Sequence, residues 1–268
     1  MASLFAQAAE VEKAGQAAAL CTIIRARGSV PRHVGSKMLV YADGRFEGTV
    51  GGGEMESRVL ATAQEVIHSG EARTVAYTLV NPSAGDPGVC GGEVEIFVEA
   101  ILPPVTLLII GAGHVGKALL QLGKWLGFRV VFCDDRAELR NPQVAPGADE
   151  YLTVPLVELP NHFSFNDQTY IVMPTRGMRV DVEGLPTLLA TPHAYLGVIG
   201  SQRRWLTACK QLEEKGVPLA KLQAVHAPMG LELNAETPEE IALSILAEIV
   251  MVRRGGTGAP MKVPDDPA

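Results

Sequence analysis

Two kinds of hydrophobic pattern divide the chain. In the second part, short apolar runs appear without alternation: Thr106–Ile110, Arg129–Cys133, Thr169–Met173 and Tyr195–Ile199. Continuous runs of this length predict strands buried on both faces. Helical patterns occupy His114–Gly127, Asp181–Ala190 and Gln202–Lys215, and a final one runs over Pro238–Arg254. Strands alternating with helices predict a Rossmann-like, doubly wound parallel sheet. Thr237-Pro238-Glu239-Glu240 gives the last helix a cap, a proline at its first position and two acids at the positive end of its dipole.

The first part reads differently. Ala19–Arg27, Lys37–Tyr41, Arg45–Val50, Arg73–Leu79 and Val94–Ala100 have strand patterns, with an Asp43-Gly44 hairpin turn between two of them. Glu54–Ser69 has the period of a helix. These elements predict a smaller α+β domain. The opening stretch, MASLFAQAAEVEKAG, carries acids by position 10 and reads as an amphipathic helix, not a signal peptide. Leu102-Pro103-Pro104 interrupts both patterns, because two prolines continue neither strand nor helix. The expected organisation is an α+β domain over 1–102, a Rossmann-like domain over 105–254 and a loose tail over 255–268. The fold class is therefore α/β.

Composition narrows the class of function. Of 268 residues, 47% are hydrophobic and 20% charged, enough apolar material for sizeable cores. The net charge of −7 argues against sequence-independent nucleic-acid binding, which needs clustered Lys and Arg. No apolar run reaches the roughly 18 residues of a membrane span. Cys21, Cys90, Cys133 and Cys209 lie far apart with no CxxC pair, which argues against a zinc site or a disulfide scaffold. A soluble, cytoplasmic protein is expected.

Several loops could carry chemistry. Gly111-Ala112-Gly113-His114-Val115-Gly116 is a complete GxGxxG between a predicted strand and a predicted helix. Its glycines permit a tight turn, close approach of a phosphate to backbone N–H groups and close helix–strand packing. Asp134 ends the next strand, where an acid can hold a ribose diol. The alternative is a Rossmann-like domain kept for packing, with no ligand. Gly200-Ser201-Gln202-Arg203-Arg204 begins another helix after a strand. It reads equally as a phosphate site, with Ser201, Arg203 and Arg204 as donors, or as an ordinary serine cap with solvated arginines. Arg176 follows a third strand at the carboxyl edge of the sheet, where ligands bind.

In the first part, Gly28–Met38 is a polar, basic loop containing Arg32. Gly48–Glu56 contains Gly51, Gly52 and Gly53 just before a helix, and its N–H groups could face a ligand. Glu56 there reads chiefly as helix stabilisation. Cys90 sits in Asp86-Pro87-Gly88-Val89-Cys90-Gly91-Gly92, a glycine loop that favours an exposed, functional thiol. Cys21, Cys133 and Cys209 read as packing residues.

Taken together, GSVPRHVGSKMLV, DGRFEGTVGGGEMES, CGGEVEIFVE, LLIIGAGHVGKAL, AYLGVIGSQRR and HAPMGLELNAETPEEIALSILAEI resemble the xanthine dehydrogenase accessory protein family, the XdhC/CoxI family. The resemblance runs from about Glu10 to Arg254. It implies a non-catalytic chaperone that binds the molybdenum cofactor (molybdopterin carrying molybdenum) as cargo. It further implies protection of the cargo during sulfuration by a cysteine desulfurase and insertion into an apo molybdenum hydroxylase of the xanthine dehydrogenase type. On that basis the expected contacts are Arg32, Gly52, Gly53, Gly111, Gly113, His114, Gly116, Asp134, Arg176, Ser201, Arg203, Arg204 and Cys90, with Cys90 offered as a molybdenum contact. A homodimer is allowed for. Two positions depart from the family pattern: Glu54 stands where many relatives have cysteine, and Thr175-Arg176-Gly177-Met178 where many have Thr-His-Gly-His. Thiol or imidazole chemistry is not carried over to those positions. The alternative functions are an NAD(P)-dependent oxidoreductase and a sensor of NAD(P) or another nucleotide.

Overall fold

The computed structural model describes residues 3–80, 87, 88, 90–134, 136, 143 and 145–262. The end of the expected tail, from residue 263, lies outside the described residues, as do Asp86 and Val89 of the cysteine loop. The chain divides into two compact units, Met1–Pro104 and Val105–Ala268.

The first unit contains α1 (Leu4–Lys13), β1 (Ala18–Arg27), β2 (Lys37–Tyr41), β3 (Phe46–Gly48), α2 (Gly53–Ser69), β4 (Arg73–Thr78) and β5 (Glu93–Ile101). Its sheet has the order β3-β2-β1-β5-β4, with every pair antiparallel. Alternation along β1 assigns the two faces. Ala19, Cys21 and Ile23 join a core with Val59, Ala63 and Val66 of α2. Ala18 and Leu20 join Ala8 and Val11 of α1 on the other face. β3 is shorter than the expected Arg45–Val50, because Thr49 and Val50 leave the strand to bond with Glu56.

The second unit contains β6 (Thr106–Ile110), α3 (His114–Trp125), β7 (Arg129–Cys133), β8 (Glu150–Leu152), β9 (Thr169–Met173), α4 (Met178–Leu188), β10 (Tyr195–Val198), α5 (Gln202–Glu214), α6 (Leu219–Gln223) and α7 (Pro238–Arg254). A 3-10 helix at Leu156–Asn161 follows β8. All strand pairs are parallel, in the order β10-β9-β6-β7-β8. This is the doubly wound Rossmann arrangement, with its switch point between β6 and β9. Alternate residues of each strand enter different cores. Leu107, Ile109, Val130 and Phe132 pack with α3 and α7; Leu108, Ile110, Val131 and Cys133 pack with α4 and α5. Both faces are covered, so the strands read as unbroken apolar runs.

Two sequence features change meaning in three dimensions. The helix expected from Asp181 begins earlier, at Met178, and Asp181 is turned inward with 1% of its surface exposed. Thr237 caps α7 with a full capping box, its hydroxyl accepting from Glu240 N–H while the Glu240 carboxylate accepts from Thr237 N–H.

Candidate functional site

The loops after β6, β7, β8 and β9 surround a cavity of about 450 Å³ at the carboxyl edge of the parallel sheet. Gly111 and Gly113 form one wall, Asp134 and Arg136 another, and Arg176 a third. Val154, Leu156, Val157 and Val180 supply an apolar side. An open parallel sheet places its ligand here, beside the switch point.

The glycines have distinct jobs. Gly111 has φ of +128°, and a side chain there would run into the Pro174 carbonyl oxygen 2.8 Å away. A side chain at Gly116 would overlap the Gly111 carbonyl, so the start of α3 can approach the loop only with glycine at that position. At Gly113, by contrast, no atom lies within 4 Å of where a Cβ would be. Gly116 therefore serves packing, and Gly113 borders the cavity. His114 opens α3 and is exposed.

Asp134 is bonded within its own chain. It is 6% exposed. Its Oδ2 accepts the Ala112 N–H at 2.7 Å and an Arg136 guanidinium N–H at 2.9 Å. Its Oδ1 accepts both the backbone N–H and the Nε–H of Arg136 at 2.9 Å. Burial pushes this carboxyl up, but the Arg136 side chain and the two backbone N–H groups outweigh it and bring it from 3.8 down to about 2. With four donors already bound, the carboxylate has no vacant position for a ribose diol. It ties the glycine loop to Arg136. That arginine, missed in the sequence, stands two residues beyond the acid on the cavity wall.

The loop after β10 is also occupied by its own chain. The Ser201 hydroxyl accepts the Arg204 N–H at 3.2 Å and caps α5. The Arg204 side chain folds back over Gly200, where a Cβ would meet its Cδ at 2.9 Å. Its guanidinium donates to Asp181 Oδ2 at 2.5 Å and to Thr175 Oγ1 at 3.2 Å, and the Thr175 hydroxyl donates to Asp181. Arg204 is thus the partner of a buried acid within its own chain. Arg203 is exposed on α5, and neither it nor Ser201 lines the cavity, whereas Arg176 does.

In the first unit, the structure brings three loops of the sequence together. A side chain at Gly28 would lie 3.0 Å from the Gly91 carbonyl oxygen, and one at Gly51 would lie 2.8 Å from Pro31. The Arg32 loop therefore packs against both the cysteine loop and the Gly51–Gly53 loop. Cys90 and Arg32 are exposed. Burial pushes the Cys21 thiol up to about 12 and raises that of Cys209; Cys133 is buried. The Gly51–Gly53 loop is not an open anion cradle. Glu56 Oε2 accepts from the Thr49 hydroxyl at 2.5 Å, from Val50 N–H at 3.2 Å and from Gly52 N–H at 3.3 Å. The Gly52 N–H is bound within the loop. Gly53 opens α2 beside it.

His226 belongs to a separate cluster. Its Nδ1 lies 2.9 Å from Glu248 Oε1, while Glu248 Oε2 accepts both the Tyr195 hydroxyl and the Gly230 N–H at 2.6 Å. Burial works against the Glu248 charge, yet bonds from His226, Tyr195 and Gly230 hold its carboxyl below the ordinary range. This cluster fastens α7 to β10 and does not reach the cavity. No group of three or more His, Cys, Asp or Glu side chains suited to a metal ion occurs among the described residues. No helix there is long and apolar enough to cross a membrane.

A glycine loop and a switch-point cavity with arginines on its wall mark the second unit as a Rossmann domain, preceded in the chain by an antiparallel α+β unit. The chain belongs to the XdhC family: residues 107–249 match the XdhC Rossmann domain and residues 11–78 match the XdhC and CoxI family. It is 33% identical to the uncharacterized protein YqeB of Escherichia coli over 99% of this chain and 49% of that protein. It is 30% identical to a probable xanthine dehydrogenase subunit of Bacillus subtilis over 60% of this chain and 46% of that one. The chain thus spans about half the length of these two relatives. The molybdenum cofactor insertion chaperone PaoD of E. coli is 26% identical over 92% of this chain and 86% of its own length. A solved structure, named a xanthine dehydrogenase from Bacillus halodurans, shares the fold with a TM-score of 0.51 and 22% identity, covering 99% of this chain and 98% of that one.

Proposed function

We propose that this chain binds the molybdenum cofactor as cargo and serves the maturation of a molybdenum hydroxylase of the xanthine dehydrogenase type. The name of one relative, a molybdenum cofactor insertion chaperone, supports a maturation role, and that of another, a probable xanthine dehydrogenase subunit, supports the recipient class. The observation that carries the reading is the cavity itself: open over Gly113, with Arg176 on its wall, and with Asp134 already bonded by Ala112 and Arg136. Such a wall suits the phosphate of a pterin cargo better than the diol of a nicotinamide dinucleotide. That favours the chaperone over an NAD(P)-dependent oxidoreductase. Taken by itself, the first unit carries an exposed thiol, Cys90, of the soft kind that molybdenum accepts, and an exposed cation, Arg32. A cysteine desulfurase would sulfurate the held cargo in the cytoplasm, and an apo-hydroxylase would receive it, with the chaperone working as a monomer or a homodimer.

The test is reconstitution. The chain loaded with cofactor should activate an apo-hydroxylase faster than free cofactor does, and Cys90→Ser should transfer poorly while keeping its thermal stability. In differential alkylation, Cys90 should label fastest of the four cysteines and be protected by cargo. Failure to bind the pterin overturns the reading. Normal transfer by Cys90→Ser removes the thiol from it.

A further inference from the structure

The sheet of the first unit ends in β4, and its ladder fixes which way each backbone group of that strand points. Leu79 N–H donates to the Gly92 carbonyl and the Leu79 carbonyl accepts from Gly91 N–H, so Leu79 bonds toward the β5 side. Direction alternates along an antiparallel strand, so Arg73, Val75 and Tyr77 also bond toward β5, opposite Val98, Ile96 and Val94. On the far side of β5 the same parity holds. Ile23 bonds with Ser36 and Gly35, away from β5, so Thr22 bonds with Phe97 and Ile96 is left for Val75. The N–H and C=O groups of Thr74, Ala76 and Thr78 therefore point out of the sheet. All three residues are exposed, and among the described residues no strand lies beyond β4. Such an edge is a template for another strand.

The edge is complementary to itself. Thr74-Val75-Ala76-Tyr77-Thr78 reads almost the same in both directions about Ala76. We infer that β4 is the interface of a homodimer, in which a second copy pairs antiparallel about a two-fold axis at Ala76 and joins the two five-stranded sheets into one. In that register each Ala76 exchanges N–H and C=O bonds with the other Ala76, and each Thr74 with a Thr78. On one face, two Thr–Thr pairs flank the small alanines. On the other, each Val75 meets a Tyr77, a pair of β-branched and aromatic side chains; both kinds of pair stabilise a ladder. Val75 and Tyr77 are only half-buried at the margin of the α2 core, so pairing covers apolar surface left open in one copy. The charged residue of β4, Arg73, is held by Glu65 and falls opposite Leu79, so like charges do not meet. An axis at Thr74 would instead set Val75 against Arg73 and shorten the ladder. The inference stands apart from the cargo reading, which allows either a monomer or a dimer.

Sedimentation velocity of the full chain, from about 1 to 100 μM, tests it. The wild type should pass from monomer to dimer in that range. Thr74→Glu with Thr78→Glu sets like charges opposite each other twice and should weaken the dimer by about tenfold or more. Thr74→Lys with Thr78→Glu sets opposite charges at the same two places and should dimerise within about threefold of wild type. Ala76→Pro removes an outward N–H while sparing the bonds to β5, so it should be monomeric with an unchanged circular-dichroism spectrum; it serves as the check if the doubly acidic variant misfolds. In hydrogen exchange, the N–H groups of Thr74, Ala76 and Thr78 should be protected in the wild-type dimer and exchange freely in the Ala76→Pro monomer. A dimer that survives both the doubly acidic pair and Ala76→Pro places the interface elsewhere and overturns the inference. So does a folded Lys/Glu variant that dissociates as far as the doubly acidic one, because the register is then wrong. A wild-type chain that stays monomeric throughout also overturns it, and leaves the edge free for a client's strand.

Discussion

The two glycine loops that precede helices, Gly51–Gly53 before α2 and Gly111–Gly116 before α3, look alike in sequence and differ in what satisfies their backbone. In the first unit, one carboxylate of the chain, Glu56, gathers the Val50 and Gly52 N–H groups and the Thr49 hydroxyl. In the second, the Ala112 N–H goes to Asp134 while the space over Gly113 stays open to a cavity. A loop rich in glycine is a set of donors seeking an acceptor. Whether the acceptor is a ligand depends on whether the chain already supplies one.

The largest effect is expected from removing the buried acid behind the second loop. Asp181→Ala leaves Arg204 without its carboxylate and should cost about 3 kcal/mol in denaturant unfolding. A loss below half that would show that Arg204 finds water instead. Next, Gly116→Ala forces α3 off the Gly111 carbonyl and should cost about 2 kcal/mol. The same substitution at Gly113, where space is open, should be nearly neutral; equal costs at the two positions would erase the division between packing and ligand space.

Glu56→Ala sharpens the comparison from the other side. It should destabilise the protein by about 1.5 kcal/mol through lost charge-assisted bonds. It should also make the melting temperature newly responsive to inorganic phosphate, beyond the wild-type response. If phosphate leaves the variant no more stabilised than wild type, the loop holds its shape without any anion.

The smallest effect is a change of slope. Asp134 titrates at about 2 in the folded chain against 3.8 ordinarily, so its stabilisation is complete above about pH 4 and is lost as pH falls toward 2. Asp134→Asn should melt lower at neutral pH and lose less on acidification through that window. An acid limb identical to wild type would mean that the ties from Ala112 and Arg136 contribute nothing.

Much of the architecture was legible because the period of the hydrophobic pattern is local. Thr106–Ile110 and Thr169–Met173 announced buried strands, and Thr237-Pro238 marked the start of α7. β8 escaped notice because Glu150–Leu152 has three half-buried residues and no apolar run. The site was legible as loops and illegible as bonds. Asp134 and Arg204 stood at positions where ligand-binding residues often stand. Their partners, Arg136, Ala112, Asp181 and Thr175, are set by where loops meet in space. Glu56 was readable as a stabiliser of α2; its capture of Val50 and Gly52 depended on the path of β3.

The pairing of Gly197 with His226 bears on how this chain meets other proteins. β10 would end the parallel sheet with open backbone groups, but Val198 N–H donates to the His226 carbonyl and Met229 N–H to that of Val198, so the segment after α6 lies along it. At the opposite margin, β8 has only three residues. Neither border offers a long ladder to a visiting strand. Among the described residues, the longer unpaired border is β4 in the first unit, six residues at the end of its sheet. A client that docks by adding a strand has its best template there, while one that docks on the second unit must recognise side chains on helices and loops.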